Sequence, residues 1–300
     1  MAPLAHTLAL LAMTLATAAI DEEWMDMAPN SFDDQYRGWG GPAMTAALPA
    51  LNRSEFQDNP VFAQAWLKAV AEWQRKGSPV SPLSSSAQAI AVMAYSMKYV
   101  YRPFNEAVRE AGSSPEEYRD NFHFKTLHFL LTQALVKLRE DQNAQCRNVF
   151  RGVHDVCFMA RRGQRVRFGH FTSTSLSRKV AEDYGTDTVF QVYTCHGVDI
   201  QAFSYDRGNR EVLIPPYETF EVTKVTRKGD KAEIELSSTG TYSKYNCEWL
   251  RGDTTGDSLG DEDTRRGDGA THGGSVPLAP FHLGGLVLAT TALAVATGIL

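Results

Sequence analysis

The spacing of apolar residues in this chain changes character once, at Asn143, and that change constrains the fold more than any other feature. Before it the pattern is helical. Asn59 can cap a helix that Pro60 opens and Gly77 closes, with Phe62, Trp66, Val70 and Trp73 on one face. Two indoles at that spacing belong to a core rather than a ligand cage. Shorter helices are expected over 87–99 and 104–110, and Ser114-Pro115-Glu116-Glu117 restarts the chain through a capped first turn. Residues 125–138 read as the clearest helix, striped by Leu127, Leu131, Leu135 and Leu138, with His123 and His128 as structural histidines beside it. After Asn143 come strand-like runs at 148–153, 168–171, 188–193, 211–214, 219–222 and 233–236, the last two around a Gly229-Asp230 turn. One helical piece, 176–184, interrupts them. Helices first and strands second imply an α+β fold with a cleft available between the halves. Residues 25–41 are expected to form an irregular strap and 76–86 a loop.

The 300 residues allow one large or two small domains, and a net charge of −5 leaves no basic footprint for nucleic acid. The two ends read as processing signals. Residues 1–19 hold an uncharged apolar run that closes on small residues before Asp21-Glu22-Glu23, the pattern of a secretory signal peptide. Residues 283–300 are again apolar and uncharged, behind small residues and a spacer. That pattern favours a glycosylphosphatidylinositol attachment signal, cut near Asp268 or Gly269, over a terminal transmembrane helix. Between 251 and 268 the chain has no apolar period and reads as a flexible stalk. A secretory route makes Cys146, Cys157, Cys195 and Cys247 disulfide candidates, and their spacing argues against a metal site. Asn52-Arg53-Ser54 is a glycosylation sequon, expected on an exposed loop.

The stretch 203–216 reads as two strand edges around a polar loop, in which Gly208 and Asn209 are the residue types that tolerate positive φ. If the segment is extended, Asn209 and Glu211 face one side. Taken alone, this is better explained as a solvated hairpin tip. Two other polar residues interrupt the strand-rich half. Arg151 precedes Gly152, which permits close backbone approach, and Ser173 lies in the hydroxyl run Thr172-Ser173-Thr174-Ser175. An arginine, a serine and a glutamate from separate strands can bind a phosphate, hold a sugar hydroxyl and stabilise a developing cation.

Phe150-Arg151-Gly152-Val153, Phe171-Thr172-Ser173-Thr174-Ser175 and Glu211-Val212-Leu213-Ile214-Pro215-Pro216-Tyr217-Glu218 resemble the Arg, Ser-Thr-Ser and Glu-x-Glu signature of the vertebrate ecto-mono-ADP-ribosyltransferases. The resemblance runs in order from Met25 to Glu248. It implies an ADP-ribosyltransferase domain over 20–250, NAD as substrate, no metal, and a surface-anchored monomer acting on arginine of extracellular proteins. It further implies that Arg151 grips the NAD phosphates, that Ser173 holds the ribose and orients Glu211, and that Glu211 stabilises the cation formed as nicotinamide leaves. Tyr184 would stack on nicotinamide or pack in the core. Cys146 and Cys195 match a family disulfide. The family's other bridge lacks a partner, because Trp39 stands where a cysteine is usual, which leaves Cys157 and Cys247 as either an unusual pair, favoured because exposed thiols are a liability outside the cell, or two free thiols. Asn209 also departs from the pattern: the arginine-specific members carry a glutamate there to align the acceptor guanidinium. An NAD glycohydrolase and a catalytically silent surface protein are the competing readings.

Overall fold

The computed structural model describes residues 21–38, 42–97 and 99–249. The expected signal peptide, stalk, attachment site at Asp268 or Gly269 and terminal tail lie outside these residues, as does Trp39. Among the described residues no helix is long and apolar enough to cross a membrane.

The helical half contains α1 (Pro42–Asp58), α2 (Pro60–Lys76), α3 (Ser86–Ser96), α4 (Tyr101–Glu110), α5 (Pro115–Asn121) and α6 (Lys125–Asp141). The caps fall where residue chemistry puts them. Asn59 Oδ1 accepts from Phe62 N, Gly77 ends α2 at φ 57°, and Ser114 accepts from Glu117 N. The first helix, α1, has no clear apolar stripe and contains Pro49, so the pattern did not reveal it. It carries Asn52. The glycosylation sequon is therefore helical, not on a loop, and Asn52 Oδ1 is buried. Glu55 of α1 caps α6 from outside: its carboxylate accepts from Lys125 N and, at 2.8 Å, from Thr126 N. His128 is a buried structural histidine between Tyr36 Oη (2.9 Å) and the Phe32 carbonyl (3.2 Å), and burial lowers its pKa to about 3.

The second half is built from β2 (Arg147–Val153), β3 (Val156–Met159), β4 (Arg165–Val166), β5 (Thr172–Ser175), α7 (Arg178–Glu182), β6 (Thr188–Thr194), β7 (Val198–Asp199), β8 (Glu211–Ile214), β9 (Glu218–Lys228) and β10 (Lys231–Thr241). Eight of these strands form one sheet in the order β4-β9-β10-β6-β2-β5-β8-β7. Only the β10–β6 pair is parallel within it. An unforeseen strand, β1 (Asp21–Trp24), pairs parallel with β3. Period-two alternation divides the faces. Leu213 packs into the aromatic core of the helical half with Phe104, Leu131 and Phe171, whereas Val212 and Ile214 join Val149, Phe190 and Phe220 in a second core. Glu211 shares the parity of Leu213, which turns its side chain toward the helices.

Three expectations are corrected here. Residues 168–171 do not form a strand. They connect β4 to β5 with Gly169 at φ 68°, where a Cβ would meet that of Ala28 at 2.3 Å. Residues 203–205 are not a strand lead-in either: the N–H groups of Phe203 and Ser204 both donate to Ile200 O, which makes a turn. Cys146 and Cys195 form the expected disulfide, but Cys157 and Cys247 do not bond each other. Cys157 is buried with Met25 and Phe190 and Cys247 with the aromatic residues of the helical half, so two cores separate them.

The 25–38 strap is irregular, as expected, and is pinned by charge. Arg167 and Asp33 form a fully buried ion pair at 2.6 Å, and Arg167 also donates to Ala28 O at 2.9 Å. Asp33 Oδ1 accepts from Lys244 N at 2.8 Å, which ties both ends of the domain together.

Candidate active site

Arg151, Ser173 and Glu211 come from three adjacent strands of the sheet, β2, β5 and β8. Arg151 reaches the site because β2 passes very close to the α7 region. A Cβ on Gly152 would lie 2.2 Å from the carbonyl oxygens of Ala181 and Gly185, so a residue with any side chain would push that segment away. The Arg151 Nη1 donates to Ser173 O at 2.9 Å, which couples the guanidinium to the middle of β5. Ser173 is opposite Leu213 in register, and Ser175 opposite Glu211.

Glu211 is 7% exposed. Ser204 Oγ donates to it at 3.2 Å, and the Ser173 hydroxyl also favours its charged form. Burial raises its pKa above the usual glutamate value; the two hydroxyls and Arg151 act against that rise, and the charge of Asp206 adds to it.

The loop before Glu211 is a 3₁₀ turn, Arg207–Asn209, and not an extended tip. Asp206 Oδ1 caps it by accepting from Gly208 N at 2.9 Å, and Ser175 Oγ donates to Asn209 O at 2.8 Å. Positive φ falls on Arg210, at 47°, rather than on Gly208 or Asn209. The extended-strand argument for Asn209 and Glu211 sharing a face therefore fails. Tertiary contact brings Asn209 to the site instead, where its side chain acts on the Tyr184 hydroxyl. Tyr184 itself is 59% exposed, which rules out the core-packing alternative.

Sequence reasoning missed a second group of residues from the helical half. Tyr101, Asn105 and Arg109 recur at four-residue intervals on α4, beside the apolar pair Phe104 and Val108. That polar stripe is the signal that could have found them. Asn105 Nδ2 donates to Phe171 O at 2.9 Å and to Tyr95 Oη at 3.2 Å, and Tyr95 Oη donates to the same carbonyl at 2.7 Å. Burial pushes the Tyr95 pKa to about 12, with Asn105 and Ser173 acting against that rise. Arg109 lies 3.2 Å from the ring nitrogens of His170. His170 Nδ1 donates to Phe168 O at 2.7 Å, so Nε2 is left as the acceptor for Arg109. Burial, with Arg109 and Arg151 nearby, holds that imidazole neutral. Arg109 is exposed and makes no ion pair among the described residues, so two guanidinium groups adjoin the site. A separate cavity of about 800 Å³, lined by Lys76, Arg147, Asp199, Phe203 and Arg207 among others, does not include Arg151, Ser173 or Glu211.

The family model described as NAD:arginine ADP-ribosyltransferase matches residues 25–244. The erythroblast NAD(P)(+)--arginine ADP-ribosyltransferase of Gallus gallus is 47% identical over 263 residues, covering 83% of this chain and 87% of the relative. The GPI-linked NAD(P)(+)--arginine ADP-ribosyltransferase 1 of Oryctolagus cuniculus is 45% identical over 244 residues, covering 76% and 74%. Among solved structures, the eucaryotic mono-ADP-ribosyltransferase ART2.2 superposes with a TM-score of 0.63 at 36% identity, over 75% of this chain and 98% of that one. Motif order, sheet and matched length agree, and the chain belongs to the NAD:arginine ADP-ribosyltransferase family.

Proposed function

We propose that the protein is a mono-ADP-ribosyltransferase that cleaves NAD at the nicotinamide–ribose bond and transfers ADP-ribose to arginine on extracellular proteins. The observation that carries this reading is Glu211: a nearly buried carboxylate, supported by hydroxyls, beside a guanidinium. The bond to be broken is glycosidic and its transition state carries positive charge on the ribose. A carboxylate in a poorly solvated site gains far more there than in the ground state. The residues present fit NAD. Arg151 and Arg109 supply two cations for a diphosphate, with Arg151 better suited to bidentate contact than a lysine. Ser173 holds the ribose hydroxyl, and the exposed ring of Tyr184 offers a stacking face for nicotinamide. Asn105 Oδ1 is buried without a partner among the described residues, which leaves an acceptor unmet beside the site.

Acceptor choice is the second half of the reaction, and Asn209 bears on it. A neutral amide neither attracts a guanidinium by charge nor takes its proton. Of the nearby acids, Glu218 does not replace it, and Asp206, whose Oδ1 is committed to Gly208 N, is the other carboxylate near Glu211. Glu218 is saturated by four donors at the opposite end of β8, and Asp206 caps the turn. Water therefore competes well with arginine, and hydrolysis of NAD is a strong side reaction. Incubating the soluble domain with labelled NAD and agmatine, scoring nicotinamide, free ADP-ribose and adduct, tests both halves. Release of nicotinamide with adduct supports the transferase, release without adduct leaves only the glycohydrolase, and no release refutes the proposal.

GPI-linked relatives and the apolar ends of the chain support a lipid-anchored protein on the outer cell surface, after removal of 1–19 and of 269–300, with 251–268 as a stalk and NAD and acceptor met outside the cell by a monomer. A phosphatidylinositol-specific phospholipase should release it from cells; retention would favour a membrane-spanning tail.

A further inference from the structure

Ser204 is 1% exposed, and its hydroxyl lies 3.2 Å from Glu211 Oε2. The same oxygen is 3.4 Å from Asp206 O. One hydroxyl has one proton, so it donates to one of the two. An ionised carboxylate is the stronger acceptor and takes the proton, whereas a protonated one releases it to the carbonyl. The backbone around Ser204 is held from two sides. Its N–H donates to Ile200 O at 2.9 Å. The next N–H, that of Tyr205, donates to Ser96 Oγ at 2.8 Å, and Ser96 gives its own proton to Met93 O at 3.0 Å. Ser96 is thus a committed acceptor at the end of α3. Lys76, at the end of α2, donates to Tyr205 O and stands 4.6 Å over the Tyr205 ring.

The geometry points to Ser204 as a positioning residue for the catalytic carboxylate: anchored to α3 through Ser96, its hydroxyl fixes the Glu211 side chain from the helical side while Ser173 fixes it from the sheet. This deepens the proposed function and rests on Glu211 breaking the nicotinamide–ribose bond. Two hydroxyls from separate elements define one orientation of a carboxylate where either alone leaves a rotation open. Mobile water would solvate the group but not aim it. The charged and titratable groups facing Glu211 are Arg151 from β2, Tyr95 from α3, Tyr184 beyond α7 and Asp206 from its own loop. Of these only Asp206 touches the Ser204 hydroxyl, through its backbone carbonyl, while its carboxylate is held separately by Gly208 N at 2.9 Å.

The test compares Ser204→Ala, Ser204→Thr and Ser96→Ala with wild type, in nicotinamide release across the acid range and in the carboxyl-carbon NMR titration of Glu211. Ser204→Ala is expected to lower kcat about tenfold or more, with KM for NAD within about twofold. The acid limb and the Glu211 titration both move to higher pH, because a donor that favours the anion is gone. Ser204→Thr keeps the hydroxyl and restores most of the rate. Ser96→Ala shifts both readouts in the same direction by less. A Glu211 titration unmoved by Ser204→Ala overturns the inference, as does a rate loss that Thr does not rescue and that tracks a lowered melting temperature. If wild type releases no nicotinamide, the proposed function fails, while the titration still decides whether Ser204 holds Glu211.

Discussion

Two glutamates flank the same four-residue strand, and they have opposite surroundings. Glu211 opens β8; Glu218 opens β9 just after it. Glu218 is fully buried and accepts from Thr194 Oγ1 (2.5 Å), Ser238 Oγ (2.6 Å), Cys195 N (2.8 Å) and His196 N (3.1 Å). Its lone pairs are spent on closing the sheet beside the Cys146–Cys195 disulfide. Glu211 has hydroxyl donors only and keeps acceptor capacity toward the helices and Arg151. Burial raises both pKa values. The difference lies in what compensates the burial: a full set of fixed donors makes a carboxylate structural, and an incomplete set leaves it able to respond to charge that appears during a reaction.

Substitution should separate the two sharply. Glu211→Gln is expected to cut nicotinamide release by about 10²–10³ or more while NAD binding and melting temperature stay near wild type, since the lost charge matters mainly in the transition state. Near-normal release by that variant would end the comparison. Glu218→Gln should do the reverse. It forces an amide donor into a shell of donors, so stability falls by roughly 3 kcal/mol, or about 6–12 °C in melting temperature, while folded molecules keep their rate. Thermal unfolding monitored alongside nicotinamide release checks both.

Arg151→Lys should raise KM for NAD about tenfold, because a point charge replaces a planar fork, and direct NAD titration would expose an unchanged affinity. Asn209→Glu is a smaller and more selective change. It should shift products several-fold toward the agmatine adduct without speeding nicotinamide release, and it should move the acid limb upward because two carboxylates would then face each other. Product partitioning measured across pH decides it.

The smallest effect is on stability against pH. Both glutamates have folded pKa values raised above 4.5, so each binds its proton more tightly in the folded chain than in the unfolded one. Their contribution to stability is therefore present in full below the unfolded pKa and is lost as pH rises through the folded values. Denaturant titrations of wild type and Glu211→Gln should converge as pH falls, and divergence would invert the sign.

Local pattern carried much of this protein. The division into helices and strands at Asn143, the caps at Asn59 and Ser114 and the β9–β10 turn at Gly229-Asp230 were all legible, because each depends on residues within a few places of one another. Where neighbours in space are far apart in sequence, reading failed. Helix α1 lacks a stripe and is held by Glu55 reaching α6, seventy positions on. Gly169 breaks a strand-like run because Ala28 stands against it. Arg210, not Gly208 or Asn209, takes positive φ because Asp206 and Ser175 fix the turn from outside. Composition told that Glu211 and Glu218 are both acids at strand ends. Which one is left open to chemistry was decided by donors arriving from β6, β10 and the loop at Ser204, since the solvation of a carboxylate depends on every group that folding brings to it and not on its place in the chain.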